Sequence, residues 1–165
     1  MEIERKWMVD GWPALDAEAL PLLCTEYQEQ GYLHTQAPIV RIRLERRGTD
    51  TKYVLCFKSE GLLVRKEIEI EVSKEDFERL SDLIGQPLVR KERRIYQLPE
   101  GLELEVNLVD EGLPTAFMYA EVEFGTEQQA RSWDPAACGL GGYLSEDVTG
   151  QPGRSMSAFW ANTRS

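Results

Sequence analysis

The chain has very few of the residues on which most enzymatic nucleophiles and transition-metal sites depend. Among its 165 residues there is one histidine, His34, and there are three cysteines, Cys24, Cys56 and Cys138, at wide and irregular spacing. A single histidine argues against histidine-based metal sites and against Ser–His or Cys–His catalytic pairs. An odd number of scattered cysteines argues against a disulfide framework or a zinc knuckle. It fits a reducing compartment, so we expect a cytoplasmic protein.

The sequence also lacks long apolar runs, an excess of basic charge and a glycine-rich phosphate loop. No run of about 18 apolar residues occurs, so we expect no transmembrane helix and no membrane partner. The charged segment Met1–Trp7 is unlike a secretory signal peptide. The 29 Asp and Glu residues outnumber 19 Lys and Arg residues, and the net charge of −10 disfavours binding to nucleic acid. The pattern GxxxxGKS or GxxxxGKT is absent, so a phosphate site in this chain has to be built from side chains.

Turn-forming residues divide the chain into short segments, most of which have the two-residue period of β-strands. At this length we expect one domain, residues 1–165, with a mainly β, α+β fold. Helical patterns fit residues 16–22, 73–84 and 126–133, and the best of them begins at the N-cap residue Ser73 and ends before Gly85. The predicted strands are 2–9, 24–34, 39–47, 51–59, 63–72, 88–98, 101–110 and 117–125.

Nearly every predicted strand has one charged face and one apolar face. In the first strand Glu2, Glu4 and Lys6 share a face, because successive side chains in a strand point to opposite sides of the sheet. The charged faces could be exposed to solvent, or they could line the inside of a barrel whose apolar outside is covered by helices. Solvent-exposed faces would carry mixed charges in no order, whereas here Glu-x-Glu pairs and basic pairs lie on different strands. The sorting favours a barrel with a charged lumen.

Such a lumen has the chemistry of a site for a polyphosphate and a metal ion. Converging Arg and Lys side chains bind phosphate oxygens through charge-assisted hydrogen bonds. Paired glutamates supply the hard oxygen ligands that select Mg²⁺ or Mn²⁺ over zinc, and a divalent ion shared with phosphate oxygens suits phosphoryl transfer. The basic candidates, more than a single phosphate requires, are Lys6, Arg41, Arg43, Lys52, Lys58, Arg65, Lys91 and Arg93.

The same residues, taken in order, resemble the motifs of one protein family. Glu2-x-Glu4-x-Lys6 is the signature of the CYTH domain, whose members are also called triphosphate tunnel metalloenzymes. Further segments match in the expected order along nearly the whole chain, so the chain is identified as a member of this family. They are Gln30–Leu33, Val40–Arg43, Phe57–Gly61, Arg65–Glu69, Lys91–Arg93, Glu103–Glu105, Ala120–Phe124 and Glu146–Thr149.

The resemblance implies an eight-stranded antiparallel closed barrel with helices outside, and a charged tunnel that binds a triphosphate and Mg²⁺ or Mn²⁺. It implies that Glu2, Glu4 and Lys6 are catalytic, with one of the glutamates helping to activate water. The implied triphosphate-binding residues are Lys6, Arg41, Arg43, Lys58, Arg65, Lys91, Arg93 and Arg154. The implied metal-binding residues are Glu2, Glu4, Glu67, Glu69, Glu105, Glu121 and Glu123. Glu103 is expected to line the tunnel, and Lys52 and Glu45 to lie at its mouth.

The segment 150–158 departs from the family pattern. Relatives often have a basic residue, a tyrosine and an Asn-rich helix start after the Val-Thr pair, whereas here only Arg154 can replace the basic contact. The tyrosine is absent, so the sequence leaves open how this segment plugs the tunnel and how it affects substrate selectivity.

The leading functional hypothesis is metal-dependent hydrolysis of a triphosphate, most simply inorganic tripolyphosphate, to release phosphate. A class IV adenylyl cyclase, which makes cyclic AMP from ATP, would use the same tunnel, and the motifs do not distinguish thiamine triphosphate as a third substrate. The alternative from a different class is a non-catalytic module that binds polyphosphate or nucleotides. Both a monomer and a homodimer are compatible with the sequence.

Overall fold

The structure, a computed structural model, describes residues 1–14, 18–61 and 63–164 and consists mainly of antiparallel strands. The strands are β1 (Glu2–Met8), β2 (Leu22–His34), β3 (Ile39–Arg47), β4 (Asp50–Lys58), β5 (Val64–Arg65), β6 (Glu67–Glu71), β7 (Val89–Gln97), β8 (Glu103–Val109), β9 (Phe117–Glu123) and β10 (Glu146–Asp147). The helices are α1 (Lys74–Ile84), α2 (Glu127–Ser132) and α3 (Met156–Thr163), and 3₁₀ turns cover Pro99–Gly101, Pro135–Cys138 and Pro152–Arg154.

The strands form one sheet that curls into a nearly closed barrel. Hydrogen-bonded neighbours follow the order β10-β1-β9-β8-β7-β2-β3-β4-β6. β5 and β6, which are separated only by Lys66, join the two sides of this path because β5 pairs with β1 and β6 pairs with β4. When β5 and β6 are counted as one strand the ring has eight strands, and β10 is a short addition beside β1. The predicted mainly β barrel is confirmed.

Two predicted elements differ from the structure. The strand predicted over 63–72 is interrupted at Lys66, and β10 was not predicted. The helix predicted over 16–22 starts at residues outside the described part of the chain, while residues 18–22 are a turn followed by the first residue of β2. Pro21 explains the missing helical turn, because a proline disfavours helical backbone at the residue before it.

The helix predicted over 73–84 begins and ends as its capping residues indicate. The side chain of Ser73 accepts a hydrogen bond from the backbone N–H of Asp76 at 3.0 Å, which satisfies one of the free donors of the first turn. Gly85 ends the helix in the left-handed conformation, with φ of 69°, and its N–H donates to the carbonyl of Ser81.

The apolar core lies between the outer face of the barrel and the elements packed on it. Trp7 of β1 is 1% exposed, and its ring centroid lies 5.8 Å from that of Trp133, which follows α2. The ring centroid of Phe77 of α1 lies 5.2 Å from that of Tyr53 on β4. Trp160 of α3 is buried in a second apolar cluster. Because apolar side chains point outward, the alternating charged side chains point into the barrel. This inverted arrangement is the one that the sorting of charges predicted.

Candidate active site

One cavity, with a volume of about 1320 Å³, occupies the interior of the barrel. Every residue predicted for the site lines it, although lining does not test the individual roles, which remain predictions. These residues are Glu2, Glu4, Lys6, Arg41, Arg43, Lys58, Arg65, Glu67, Glu69, Lys91, Arg93, Glu105, Glu121, Glu123 and Arg154.

Of the less certain candidates, only Glu45 lines the cavity. Its carboxylate Oε1 lies 3.5 Å from Nε of Arg43. Lys52 is exposed near the start of β4, outside the residues that line the cavity. Glu103 is exposed as well, so the expectation that it lines the tunnel is wrong. The reason is its position. Glu103 is the first residue of β8 and precedes Leu104, the residue at which the pairing of β8 with β9 begins.

Arg41 and Arg43 of β3 and Lys91 and Arg93 of β7 form the basic cluster of the cavity. The strand β2 lies between β3 and β7, so the four side chains converge from both sides of it. Lys91 is 2% exposed, and burial together with the charges of Arg93 and Arg43 holds its pKa well below its usual range. The Nε atoms of Arg41 and Arg43 are buried and have no hydrogen-bond partner among the described residues. Crowded, buried cations with unused donors are suited to a polyanion.

A layer of buried polar side chains, to which the sequence analysis gave no role, orients the basic cluster. Nε of Arg93 donates to Oδ1 of Asn107 at 2.8 Å, and Nη1 of Arg43 approaches Oε1 of Gln28 at 3.4 Å. Nε2 of Gln28 donates in turn to Oε1 of Glu26 at 2.5 Å. The sequence pattern that could have identified Glu26 and Gln28 is the alternation of polar residues along β2, because residues 26 and 28 share the inward face.

Glu2 and Glu4 of β1 and Glu121 and Glu123 of β9 form the acidic cluster. The two strands are neighbours, and their register places Glu4 opposite Glu123 and Lys6 opposite Glu121. Directly opposed like charges such as Glu4 and Glu123 are destabilising, so this pair repels unless a proton or a cation relieves it.

The acidic cluster relieves part of its repulsion by holding protons. Burial and the neighbouring Glu121 raise the pKa of Glu4 well above its usual range. For Glu121, burial is outweighed by Lys6 and by a hydrogen bond from Glu4, which together lower its pKa. Opposite pKa shifts of this kind are typical of two close carboxylates that share one proton. Burial, opposed by Lys58 and reinforced by a hydrogen bond with Glu67, also raises the pKa of Glu2.

Ion pairs connect the acidic side chains to cations of the same cavity. Nζ of Lys58 lies 3.3 Å from Oε1 of Glu2. The guanidinium of Arg93 lies 3.0 Å from Oε2 of Glu105 and 3.9 Å from Oε1 of Glu121. Without a ligand, these charges therefore neutralise one another, and an entering anion and cation would have to exchange partners with them.

A third wall of the cavity is formed by β4 and β6. Among the described residues, Cys56, Glu67 and Glu69 are the one group of three or more His, Cys, Asp or Glu side chains whose ligand atoms all lie within 4.8 Å of one another. Sγ of Cys56 donates to Oε1 of Glu67 at 3.3 Å, and Nη2 of Arg41 lies 4.0 Å from the same oxygen. No motif in the sequence indicates a part for Cys56 in the site. Its inward position follows from its place two residues before Lys58.

The segment before α3 contacts the site through its backbone. Nζ of Lys6 donates to the carbonyl oxygen of Arg154 at 2.5 Å, and the backbone N–H of Lys6 donates to Oγ1 of Thr149 at 3.0 Å. The guanidinium of Arg154 is half exposed and lies 4.0 Å from Glu146. Arg154 thus lines the mouth of the cavity, and its closest contact with the predicted site is made by its carbonyl group.

Two cavity-lining tyrosines, Tyr32 and Tyr119, were missed by sequence reasoning. Nζ of Lys91 donates to Oη of Tyr119 at 2.8 Å, and Nζ of Lys6 lies 4.3 Å from the centre of the Tyr119 ring. Burial, with Glu121 nearby, raises the pKa of Tyr119, so its phenol is neutral. The two-residue period of the strand could have identified Tyr119, because it places Tyr119 on the same face of β9 as Glu121.

Comparisons with known proteins agree with this geometry. The inorganic triphosphatase of Nitrosomonas europaea is 37% identical over 148 residues, which are 90% of this chain and 89% of the relative. The crystal structure of the inorganic triphosphatase NE1496 superposes with a TM-score of 0.58 at 29% identity, covering 96% of this chain and 93% of that one. A Hippeastrum adenylyl cyclase candidate with a dominant triphosphatase activity has a TM-score of 0.66 over 98% of this chain and 96% of its own, and at 21% identity it supports the fold alone.

The described residues include no helix that is long and apolar enough to cross a membrane. The family model of the CYTH domain matches residues 1–133, which contain both the basic and the acidic cluster. With this match and the 37% identity to a triphosphatase, the chain belongs to the CYTH domain family.

Proposed function

We propose that this protein is a divalent-metal-dependent triphosphatase that hydrolyses inorganic tripolyphosphate and releases phosphate. The observation that carries the proposal is the separation of charge in one cavity, with the basic cluster on β3 and β7 and the acidic cluster on β1 and β9. A triphosphate needs the basic cluster, and its metal ion needs the acidic cluster. The activity named for the Nitrosomonas europaea relative supports the same choice.

The basic cluster would hold the phosphate chain. The buried Nε donors of Arg41 and Arg43 make no hydrogen bond to the described residues, and a phosphate oxygen is an acceptor that would satisfy them. Lys58 and Arg65 lie 3.3 and 3.8 Å from Oε1 of Glu2, so they extend the positive charge up to the acidic cluster. A bound triphosphate would therefore reach the acidic cluster, where a metal ion would be held. Lys6, Lys91, Arg93 and Arg154 complete the proposed binding set.

The acidic cluster fits a divalent cation. The raised pKa values of Glu2 and Glu4 mark carboxyl groups whose negative charge is penalised by burial and by neighbouring carboxylates, and a bound cation would relieve that penalty. Oxygen ligands of this kind suit Mg²⁺ or Mn²⁺, and such an ion would polarise phosphate oxygens and lower the pKa of a water. The proposed metal ligands are Glu2, Glu4, Glu67, Glu69, Glu105, Glu121 and Glu123.

Hydrolysis forms a bond from a water oxygen to the terminal phosphorus and breaks the bond to the bridging oxygen, which gives phosphate and diphosphate. The water must lose a proton, and Glu4 would accept it in its deprotonated form, which a cation at the acidic cluster would favour over the proton shared with Glu121. Lys6, the next inward-facing residue of β1, would stabilise negative charge on the phosphate oxygens as the bond breaks. The buried polar layer keeps the arginines in place, so binding requires little reorganisation.

The test is a comparison of substrates under defined metal conditions. Phosphate release is measured from tripolyphosphate, ATP and thiamine triphosphate, each with Mg²⁺, Mn²⁺ or EDTA, and cyclic AMP is measured for ATP. We expect metal-dependent release that is fastest from tripolyphosphate. Cyclic AMP as the main product of ATP would transfer the assignment to a cyclase, and binding of tripolyphosphate without turnover would reduce it to a binding module.

A further inference from the structure

Tyr119 contacts two of the three lysines of the predicted phosphate site, Lys6 and Lys91. Its side chain is 1% exposed and lines the cavity. Its oxygen accepts a hydrogen bond from Nζ of Lys91 at 2.8 Å, and its ring lies 4.3 Å from Nζ of Lys6 and 5.5 Å from Nζ of Lys91. Both ammonium groups are thus held by one aromatic side chain, through a hydrogen bond and through cation–π contacts.

The hydroxyl group of Tyr119 has a donor that no hydrogen bond among the described residues uses. A phenol donates one hydrogen bond and accepts others, and the bond from Lys91 uses the accepting side of the oxygen. Among the described residues no acceptor for its O–H is found. A buried donor without an acceptor is costly, and the cavity that Tyr119 lines is where an acceptor would enter.

We propose that Tyr119 is a substrate-binding residue whose O–H donates a hydrogen bond to a phosphate oxygen of the triphosphate. The inference rests on the proposed function and adds a neutral contact to its charged ones. Tyr119 would bind the anion directly and would present Lys91 to the same phosphate group. The contact also distinguishes this site from a purely ionic one, because a hydroxyl donor restricts the direction from which the phosphate oxygen can approach.

The experiment measures tripolyphosphate binding by calorimetry in EDTA, so that metal binding and turnover do not contribute. Tyr119→Phe removes the hydroxyl group and keeps the ring next to Lys6. We expect the dissociation constant to rise by about tenfold or more, as the loss of a hydrogen bond to a charged group requires. The matched control is Tyr143→Phe, which removes a phenol that donates to the carbonyl of Gly11 at 2.7 Å on the outer side of the barrel. Its binding constant should equal that of the wild type.

A double-mutant cycle separates direct contact from an effect through Lys91. Lys91→Met removes the ammonium group, and Tyr119→Phe is then measured in that background. Further weakening supports a direct hydrogen bond to phosphate, and no further weakening overturns it. In steady-state assays with metal, Tyr119→Phe should raise KM more than it lowers kcat, whereas a change in kcat alone contradicts a binding role.

The same titration distinguishes failure of this inference from failure of the proposed function. Wild-type protein that binds tripolyphosphate no better than Tyr119→Phe overturns the role of Tyr119 and leaves the triphosphatase proposal intact. Wild-type protein that does not bind tripolyphosphate overturns both. Thermal unfolding of each variant shows whether the binding-competent fold is present, and a folded variant with unchanged affinity is the decisive negative result.

Discussion

Replacing Arg43 by methionine should weaken tripolyphosphate binding while leaving the fold as stable as before. Arg43 is 7% exposed, and burial together with the charges of Arg41 and Arg93 lowers its pKa. Its own contacts are weak, since Nη1 lies 3.4 Å from Oε1 of Gln28 and Nε lies 3.5 Å from Oε1 of Glu45. The ligand-free fold therefore gains little from this cation. Methionine keeps most of the chain length and removes the charge.

The expected magnitude follows from the donors that Arg43 can offer. An arginine can donate two parallel hydrogen bonds to a phosphate group, and each hydrogen bond to a charged group contributes about 1.5–3 kcal/mol. The loss of both, at the lower limit, is about 3 kcal/mol, and this corresponds to roughly a hundredfold rise in the dissociation constant. Stability should change by less than about 1 kcal/mol or rise, because Arg43 lies beside the like charges of Arg41 and Arg93 and its one carboxylate contact among the described residues, with the partly exposed Glu45, is weak.

The assay combines calorimetric titration of tripolyphosphate in EDTA with urea unfolding of the same samples. Arg79→Met is the matched control, since the side chain of Arg79 is 76% exposed on α1 and its one ion pair with a described residue is to Asp76, at 3.3 Å. It should leave both quantities unchanged. Binding by Arg43→Met within about threefold of wild type would refute the reasoning. So would a loss of stability above about 2 kcal/mol, since Arg43 would then be a structural residue.

Three further predictions concern protons, metal ligands and packing. Folding raises the pKa of Glu4 above its ordinary value of 4.5. This shift stabilises the folded state fully below pH 4.5, and the stabilisation is lost as the pH rises through the raised pKa. Glu4→Gln should flatten this decline in metal-free unfolding experiments, and an unchanged slope contradicts the shared proton. Glu121→Gln should lower kcat by roughly a hundredfold with Mg²⁺ or Mn²⁺. The control Glu103→Gln changes a residue outside the cavity and should leave kcat unchanged. Equal kcat values for the two variants would show that Glu121 is not part of the site. Gly31→Ala should cost about 1–3 kcal/mol in urea unfolding, because its Cβ would lie 2.6 Å from a side-chain carbon of Leu88. Gly142→Ala, with open space around it, is the control, and equal stabilities would show that the packing at Gly31 can adjust.

The inward face of each strand could be predicted from the sequence because strand geometry has a fixed period. Once Glu2 is placed inside the barrel, Glu4 and Lys6 must follow, and the same argument places Arg41 with Arg43. The period does not show where pairing stops. Glu103 has the right parity but lies before the β8–β9 pairing begins, and it is exposed for that reason.

The parts of the site that depend on contacts across the barrel could not be predicted. That Cys56 lies with Glu67 and Glu69 follows from the pairing of β4 with β6, which no local pattern encodes. The hydrogen bond from Lys6 to the carbonyl of Arg154 involves a backbone atom, so side-chain motifs carry no trace of it. Protonation of the acidic cluster likewise requires burial and register to be known.

The most direct test of the account is the initial rate of phosphate release from tripolyphosphate, measured for wild type and Glu121→Gln with Mg²⁺, with Mn²⁺ and with EDTA. The account predicts release by the wild type with at least one of the metals, loss of that release in EDTA, and a much slower rate for Glu121→Gln under every metal condition. Release that is unaffected by EDTA, or no release by folded wild-type protein with either metal, would contradict a metal-dependent triphosphatase site in this cavity.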